Sequence, residues 1–360
     1  MKILIIGAGA AGITAAHILS EQKIDFEILE ASSVHGGRLK KVDDFADFPI
    51  DLGAEWIHRS IKAKPPVLDT LLNGKNTDFD IFDYRPKKIS QYKNGTLRNI
   101  PFLKFIIAAI NDAKFIDSTW FDVFDRLVTP EIKAKIHYNT PVNKIDYSSK
   151  NIIVSTTTGK QFLADKVLVT VPIKILQENY IEFIPAFPVE KRAAINKEEM
   201  GDGIKIFIEF SNCFYPNVLA IGKLCSNPFK NDGGYYDATI GKNSTRNILG
   251  LFAHGAKAKK YTSLQNNDEI IKFVLKELDT IFNGQATKYY QKHIIQNWSA
   301  EPFIHGSYSM RKGSAKELFT PLEDKVFFAG EAMNISKHTI AVHGASESAY
   351  QALERMLKGN

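Results

Sequence analysis

Cysteine is scarce in this chain. Only Cys213 and Cys225 occur in 360 residues, with neither C-x-x-C spacing nor the density of a disulfide scaffold, so a reducing compartment is expected. No clustered Lys/Arg run with interleaved aromatics is present, and the formal net charge of +6 is modest. Nucleic acid is therefore not the expected partner. The longest apolar stretch outside the expected strands, Phe105 to Ile110, is far too short to span a bilayer, and no membrane association is expected. An apolar strand begins at residue 2, which leaves no room for a signal peptide. The terminal "LKGN" carries no retention or peroxisomal signal, so the expected location is cytoplasmic. Internal repeats, low-complexity segments, metal-ligand spacing and nucleophile–base constellations are also lacking. What remains, 44% hydrophobic and 24% charged residues, is an ordinary globular composition with length enough for two domains.

The informative stretch is the first, Lys2 to Arg38. Ile3 to Ile6 is a β-branched apolar run that reads as a buried parallel strand. Gly7, Gly9 and Gly12 follow as G-x-G-x-x-G and lead into a helical run through Ala15, Ala16, Ile18 and Leu19. A second strand, Phe26 to Leu29, ends on Glu30. Gly7 allows the tight turn, Gly9 lets backbone approach a pyrophosphate, and Gly12 lets helix and strand pack closely. The helix N-terminus offers amides and a partial positive charge, and Glu30 is placed to accept from ribose hydroxyls. This is the pattern of a dinucleotide site.

A second glycine pair with an arginine, Gly36-Gly37-Arg38, has no obvious task in a site for a nicotinamide dinucleotide alone. Around FAD, it would let backbone pass the pyrophosphate while the guanidinium offers fixed donors. "FPIDLGAEWIH", Phe48 to His58, brings small residues at Gly53 and Ala54, where backbone would reach a flat ring. Further on, Asn94-Gly95 marks a hairpin, and the spacing predicts helices within 102–116 and 118–132. "KVLVTVP", Lys166 to Pro172, reads as a buried strand. In Gly203 to Phe210, apolar Ile204, Ile206, Ile208 and Phe210 alternate with Lys205, Phe207 and Glu209, the pattern of a half-solvated antiparallel strand. Asp268 to Phe282 is an amphipathic helix.

The combination of G-x-G-x-x-G, acid, G-G-R, "DLGAEWIH" and the closing "FFAGE…VHGA" resembles the flavin-containing amine oxidases, the family of monoamine and polyamine oxidases. The resemblance implies an α/β fold: a discontinuous Rossmann-type FAD-binding domain from 1–60, 136–174 and 322–360. A smaller α+β substrate domain with an antiparallel sheet would come from 61–135 and 175–321. It implies an oxidoreductase that oxidises an amine by hydride transfer to flavin N5, giving an imine and, with O2, H2O2. The segment covering the substrate mouth is shorter here than in the family, which predicts a more open access route. Two alternatives use the same scaffold: an FAD dehydrogenase, desaturase or isomerase, and a flavin-binding partner protein without turnover.

By the same resemblance, FAD contacts come from Gly7, Gly9, Ala10, Ala11, Gly12, Glu30, Ala31, Gly36, Gly37 and Arg38. Gly53, Ala54, Glu55 and Trp56 follow, with Val142 at the adenine end and Gly330, Glu331, Val342, His343 and Ala345 from the tail. Glu331 would accept through Arg38 or a backbone amide, and the final helix would aim its N-terminus at the flavin. Lys205 matches the lysine that holds a water near flavin N5. Trp298 and Tyr308 match a ring beside the flavin and one wall of an aromatic cage. His58 would hydrogen-bond the substrate amine. Ser307 stands where monoamine oxidases carry the cysteine tethered to FAD, so non-covalent FAD is expected. Ala341 takes the place of the second cage ring. A small-molecule amine and O2 are the expected partners, and no metal is expected.

Overall fold

A computed structural model of the chain describes residues 1–58, 70–72, 79–101, 112–222, 233–310, 312–336 and 340–358. Parts of the expected mouth-covering segment, 59–69, 73–78 and 102–111, lie outside these residues. The Rossmann-type sheet is five-stranded and parallel, in the order Ile136–His137, Asp25–Leu29, Lys2–Ile6, Lys166–Val169, Val326–Phe328. Its central strand is inaccessible along Ile3, Leu4 and Ile5 because helices and a second sheet cover both faces, which is why it reads as an unbroken apolar run. From Lys2–Ile6 the chain first adds a strand on one side and later one on the other. The strand order reverses there, and a crevice opens at the carboxyl ends.

The N- and C-terminal pieces lock together through small residues. Helix Ala10–Glu21 packs against the final helix Val342–Lys358, which buries Ala345, Ala349 and Ala352, and Thr14 Oγ1 lies 2.8 Å from Ser346 Oγ. A four-stranded sheet, Gln161–Ala164, Ile152–Thr156, Val142–Asp146 and Glu182–Ile184, crosses the boundary expected at 174. Ile145, Val167 and Phe328 share one core with Phe183, Ile195 and Leu318. Likewise Ile132 packs with Ile3 and Trp120 with Ile13. Packing therefore carries 118–134 and 175–197 onto the nucleotide side.

The other large sheet has seven strands: Tyr290–Asn297, Gly203–Phe210, Asn247–His254, Gly233–Asp237, Val218–Ile221, Ile89–Lys93 and Thr96–Asn99. It is antiparallel except where Val218–Ile221 pairs parallel with Ile89–Lys93. The Asn94-Gly95 hairpin forms as read, both residues in the left-handed region at φ 51° and 73°. Helix Asn267–Phe282 covers one face, packing Ile271, Val274 and Leu278 on Ile204, Ile206 and Ile208.

Two expectations are corrected. The Gly203–Phe210 strand is buried on both faces, because Phe45, Phe48, Ile50 and Leu52 cover the side that carries Lys205, Phe207 and Glu209. Lys205 is 2% exposed and Glu209 7%. The helix expected within 102–116 is, in its described part, the strand Asp112–Phe115, which pairs with Ile57–His58 and Ile81–Asp83. Tertiary pairing overrides the local spacing there. Residues 102–111 lie outside the described set. Among the described residues no helix is long and apolar enough to cross a membrane, and no cluster of His, Cys, Asp and Glu has the makings of a metal site.

Candidate active site

A cavity of about 780 Å3 opens at the carboxyl ends of the parallel strands and runs to the seven-stranded sheet. All four residues expected at the chemistry, Lys205, Trp298, Tyr308 and His58, line it. So does every residue expected at the cofactor except Gly12 and His343. Gly12 faces the strand: a Cβ there would sit 2.0 Å from the Gly7 carbonyl oxygen. His343 is buried in the first turn of the final helix.

The nucleotide end is built from backbone. Gly7, Gly36 and Gly37 have φ of 103°, 109° and 57°, which favours glycine at each. The two glycine motifs form one cradle, because Gly36 N–H donates to the Ala8 carbonyl at 2.8 Å and Gly9 bridges to Gly36. A Cβ on Gly9 would meet only the Gly36 carbonyl oxygen, at 3.9 Å, so its open side faces the cavity. Helix Ala10–Glu21 starts here with no side-chain cap and no acidic residue in its first turn. Its orphan amides and positive dipole end suit a pyrophosphate. Glu30 is buried and fixed by the amides of Ala8 (2.6 Å) and Ser32 (2.8 Å). Burial nevertheless raises its pKa, against those donors. This donor set fits the dinucleotide part of FAD. Gly53 has a task besides the expected one: a Cβ there would lie 1.8 Å from the Arg38 carbonyl oxygen. It admits the Arg38 backbone on one side and lines the cavity on the other.

Arg38 spans the cavity between these parts. Its Nη1 donates to the Ser307 carbonyl at 2.7 Å and to Glu331 Oε1 at 3.0 Å, while Ser309 Oγ donates to Glu331 Oε2 at 2.7 Å. The expected pairing of Glu331 with Arg38 is thus present.

The far end is a charged wall. Lys205 Nζ donates to the Asp51 carbonyl at 2.8 Å and to Glu55 Oε2 at 2.6 Å. Trp298 Nε1 donates to the Leu52 carbonyl at 2.9 Å, so both residues anchor on neighbouring peptides. Glu55 also receives Lys114 Nζ at 2.5 Å and Tyr236 Oη at 2.5 Å. Burial pushes the Glu55 carboxyl upward, but Lys114 and Lys205 outweigh it and hold it at about 2. Burial lowers Lys205 against the pull of Glu55 and Asp51.

Lys114 and His254 are among the side chains here that the sequence did not reveal. Lys114 sat in a segment read as helix, and a single lysine among apolar residues gave no signal. His254 ends its strand at the cavity, stacked on Tyr308 with centroids 3.9 Å apart and planes 10° apart. Hydrogen bonds join its Nδ1 to Ser307 Oγ (2.6 Å) and its Nε2 to Met310 Sδ (2.9 Å). Gly201 and Gly203 make this possible, since Cβ atoms there would lie 2.3 Å from the His254 ring and 2.4 Å from Ser307 Cβ. His58 stands apart at the mouth, half exposed, with Nδ1 2.8 Å from Asp112 Oδ1.

Asp51 gives a pH signature. Burial, with the Glu55 carboxylate adding to it, raises its pKa from 3.8 to about 8 against the pull of Lys205. The folded state therefore keeps a proton that the unfolded chain releases near pH 4. Stability from that proton is full below about pH 4 and gone once pH passes about 8, falling by up to about 1.4 kcal/mol per unit between. Thermal melts from pH 5 to 8 are expected to show Asp51→Asn with a flatter profile than the parent. Parallel profiles would rule out a protonated Asp51.

Residues 122–357 match the family model of flavin containing amine oxidoreductases, and 5–72 match that of NAD(P)-binding Rossmann-like domains. Polyamine oxidase 5 of Oryza sativa subsp. japonica is 26% identical in an alignment that covers 98% of this chain and 87% of that protein. In solved structures the fold recurs in a triple mutant of putrescine oxidase, at 15% identity and TM-score 0.79 over 100% of this chain and 99% of that one. Cyclohexylamine oxidase from Brevibacterium oxydans IH-35A aligns at 16% identity and TM-score 0.79, over 99% of both chains.

Proposed function

The chain belongs to the flavin-containing amine oxidoreductases, FAD enzymes that oxidise amines, and on that premise we propose that its substrate carries one amine nitrogen and an apolar body. We further propose that FAD is held without a covalent bond, and that O2 takes up the electrons as H2O2. The observation that carries this reading is the cavity itself, with a phosphate cradle at one end and the Lys205–Trp298–Tyr308 wall at the other. FAD, when bound, would supply a two-electron acceptor for oxidation of the C–N bond and would pass those electrons on to O2.

The protein's share is binding and charge. Two lysines against one carboxylate leave the wall net positive beside a protonated Asp51, which disfavours the ammonium form of an approaching amine. Trp298, Tyr308 and Phe252 offer ring surface, and Ala341 leaves space where a second cage ring would stand. Every described carboxylate that lines the cavity already has partners: Glu30 the amides of Ala8 and Ser32, Glu55 two lysines, Glu331 Arg38 and Ser309, Asp112 His58. A second substrate ammonium would be buried against occupied acids, at a cost of several kcal/mol. Ser307 Oγ is engaged by His254 and accepts no tether, which supports non-covalent FAD.

The test is anaerobic bleaching of the holoenzyme by a panel of amines, followed by a peroxide assay in air. Apolar monoamines are expected to bleach the flavin faster than diamines or polyamines, and acid precipitation is expected to release all flavin. The relatives' names favour a second reading, oxidation of a diamine or polyamine. Faster bleaching by putrescine or spermine would establish it over ours. Bleaching without peroxide would instead point to a dehydrogenase.

A further inference from the structure

We propose that Lys114, which stands behind the cavity wall, is a positioning residue for the redox end of the site: through Glu55 it orients Lys205 and keeps the wall net positive. The inference rests on the reading that the flavin end of FAD lies against Lys205. The geometry is a relay. Glu55 turns Oε1 to Lys114 at 2.5 Å and Oε2 to Lys205 at 2.6 Å, so each lysine claims one carboxylate oxygen. Rotating Glu55 to favour one lysine breaks the contact with the other.

Lys114 is in turn held from all sides. It is 3% exposed, and its Nζ lies 5.1, 5.4 and 5.1 Å from the ring centroids of Trp56, Tyr84 and Tyr236. Trp56 meets Tyr84 edge-on at 4.9 Å and Tyr236 at 5.5 Å, so the three rings form a cage around the ammonium. Ring faces stabilise a desolvated cation, and the strand pairs Phe82↔Lys114 and Asp83↔Ala113 fix its stem. Tyr236 closes the loop by donating to the same Glu55 oxygen that Lys205 uses.

A role in packing alone gives no reason for this arrangement. Burying charge is expensive, and well-packed apolar residues commonly serve stability as well or better. Here two ammonium groups are buried on one carboxylate beside the cavity, and only Lys205 reaches its lining. A fixed positive charge in a low-dielectric wall favours a ligand in its more negative oxidation state. Reduction of bound FAD adds such charge, so the wall raises the potential of the site.

The experiment measures the midpoint potential of the bound flavin in the holoenzyme, with rapid-reaction kinetics of its anaerobic reduction. Lys114→Met, which keeps the apolar stem inside the cage, is expected to move the potential to more negative values and slow reduction about tenfold. Substrate affinity from the saturation of that rate is expected to stay unchanged. Lys114→Gln, which keeps a donor for Glu55 but no charge, shifts the same way and is read beside it in case the methionine variant does not accumulate. Lys114→Arg restores most of the potential. In a Lys205→Met background the Lys114→Met change adds little further loss of rate, because the relay has lost its end point, while the potential falls further as the Glu55 carboxylate loses its last lysine. A Lys114 variant that melts earlier at an unchanged potential makes the residue merely structural and overturns the proposal. A Lys205→Met enzyme that itself shows no shift places the flavin elsewhere, and the failure then belongs to the underlying reading.

Discussion

Gly12→Ala is expected to yield little protein, and what accumulates should be colourless, without bound FAD. The added Cβ would lie 2.0 Å from the Gly7 carbonyl oxygen and 3.2 Å from Thr170 Oγ1, with backbone rather than a flexible side chain in the way. Thr170 cannot withdraw, since its Oγ1 donates to the carbonyl of Ile6 at 2.8 Å. Helix Ala10–Glu21 must therefore lift from the strand by more than an ångström. Overpacking of this kind costs about 1–3 kcal/mol and sometimes more, and here it also displaces the helix N-terminus that faces the cavity. Gly9→Ala provides the contrast. Its Cβ would meet only the Gly36 carbonyl, at 3.9 Å, and the Gly9 backbone, at φ −79°, suits alanine. That variant is expected to fold with an unchanged melting profile and yet bind FAD far more weakly, because the methyl enters the cradle. Visible absorbance and a thermal melt on each protein separate the two. A yellow, stable Gly12→Ala protein would mean that helix and strand do not need the close approach.

These two glycines also mark what a chain can disclose before it folds. Gly7, Gly9, Gly12 and Glu30 act over a short span, and their spacing carries the turn, the helix start and the acid together. Their pairing with Gly36 was not visible, but both motifs pointed to phosphate. The far wall is different in kind. Lys205 alternates with isoleucines as a solvated lysine does, and only the covering segment through Phe45, Phe48 and Ile50 turns it into a buried one. Nothing within the strand encodes that cover. Lys114 is harder still, because its meaning depends on Glu55, Trp56, Tyr84 and Tyr236, which come from three distant stretches of chain. The strand at 112–115 exists because Ile57–His58 and Ile81–Asp83 flank it. Local chemistry is legible in the spacing, whereas chemistry assembled by long-range packing is reached only through the family resemblance, as at Lys205, or not at all, as at Lys114.

Lys205→Met carries the second large effect: FAD retained, the fold intact, and anaerobic reduction by amine slowed about 100-fold or more. Methionine matches the apolar stem and fills the same buried volume with little strain. Glu55 still holds Lys114 and Tyr236, so its carboxylate keeps a counter-charge. The Asp51 carbonyl loses its 2.8 Å donor, a penalty of about 1–3 kcal/mol that should appear as a modest fall in melting temperature. What disappears is the cavity-lining ammonium that Glu55 and the Asp51 carbonyl hold in place. Arginine is a poor substitute, because its planar fork does not fit between a carbonyl and a carboxylate set for a compact ammonium. Lys205→Arg is therefore expected to recover charge but only part of the rate. Stopped-flow reduction of equal amounts of holoenzyme decides the matter. A structural lysine would lower flavin occupancy and melting temperature while the remaining holoenzyme reduced at the parental rate. A lysine at the chemistry leaves occupancy nearly alone and takes the rate away.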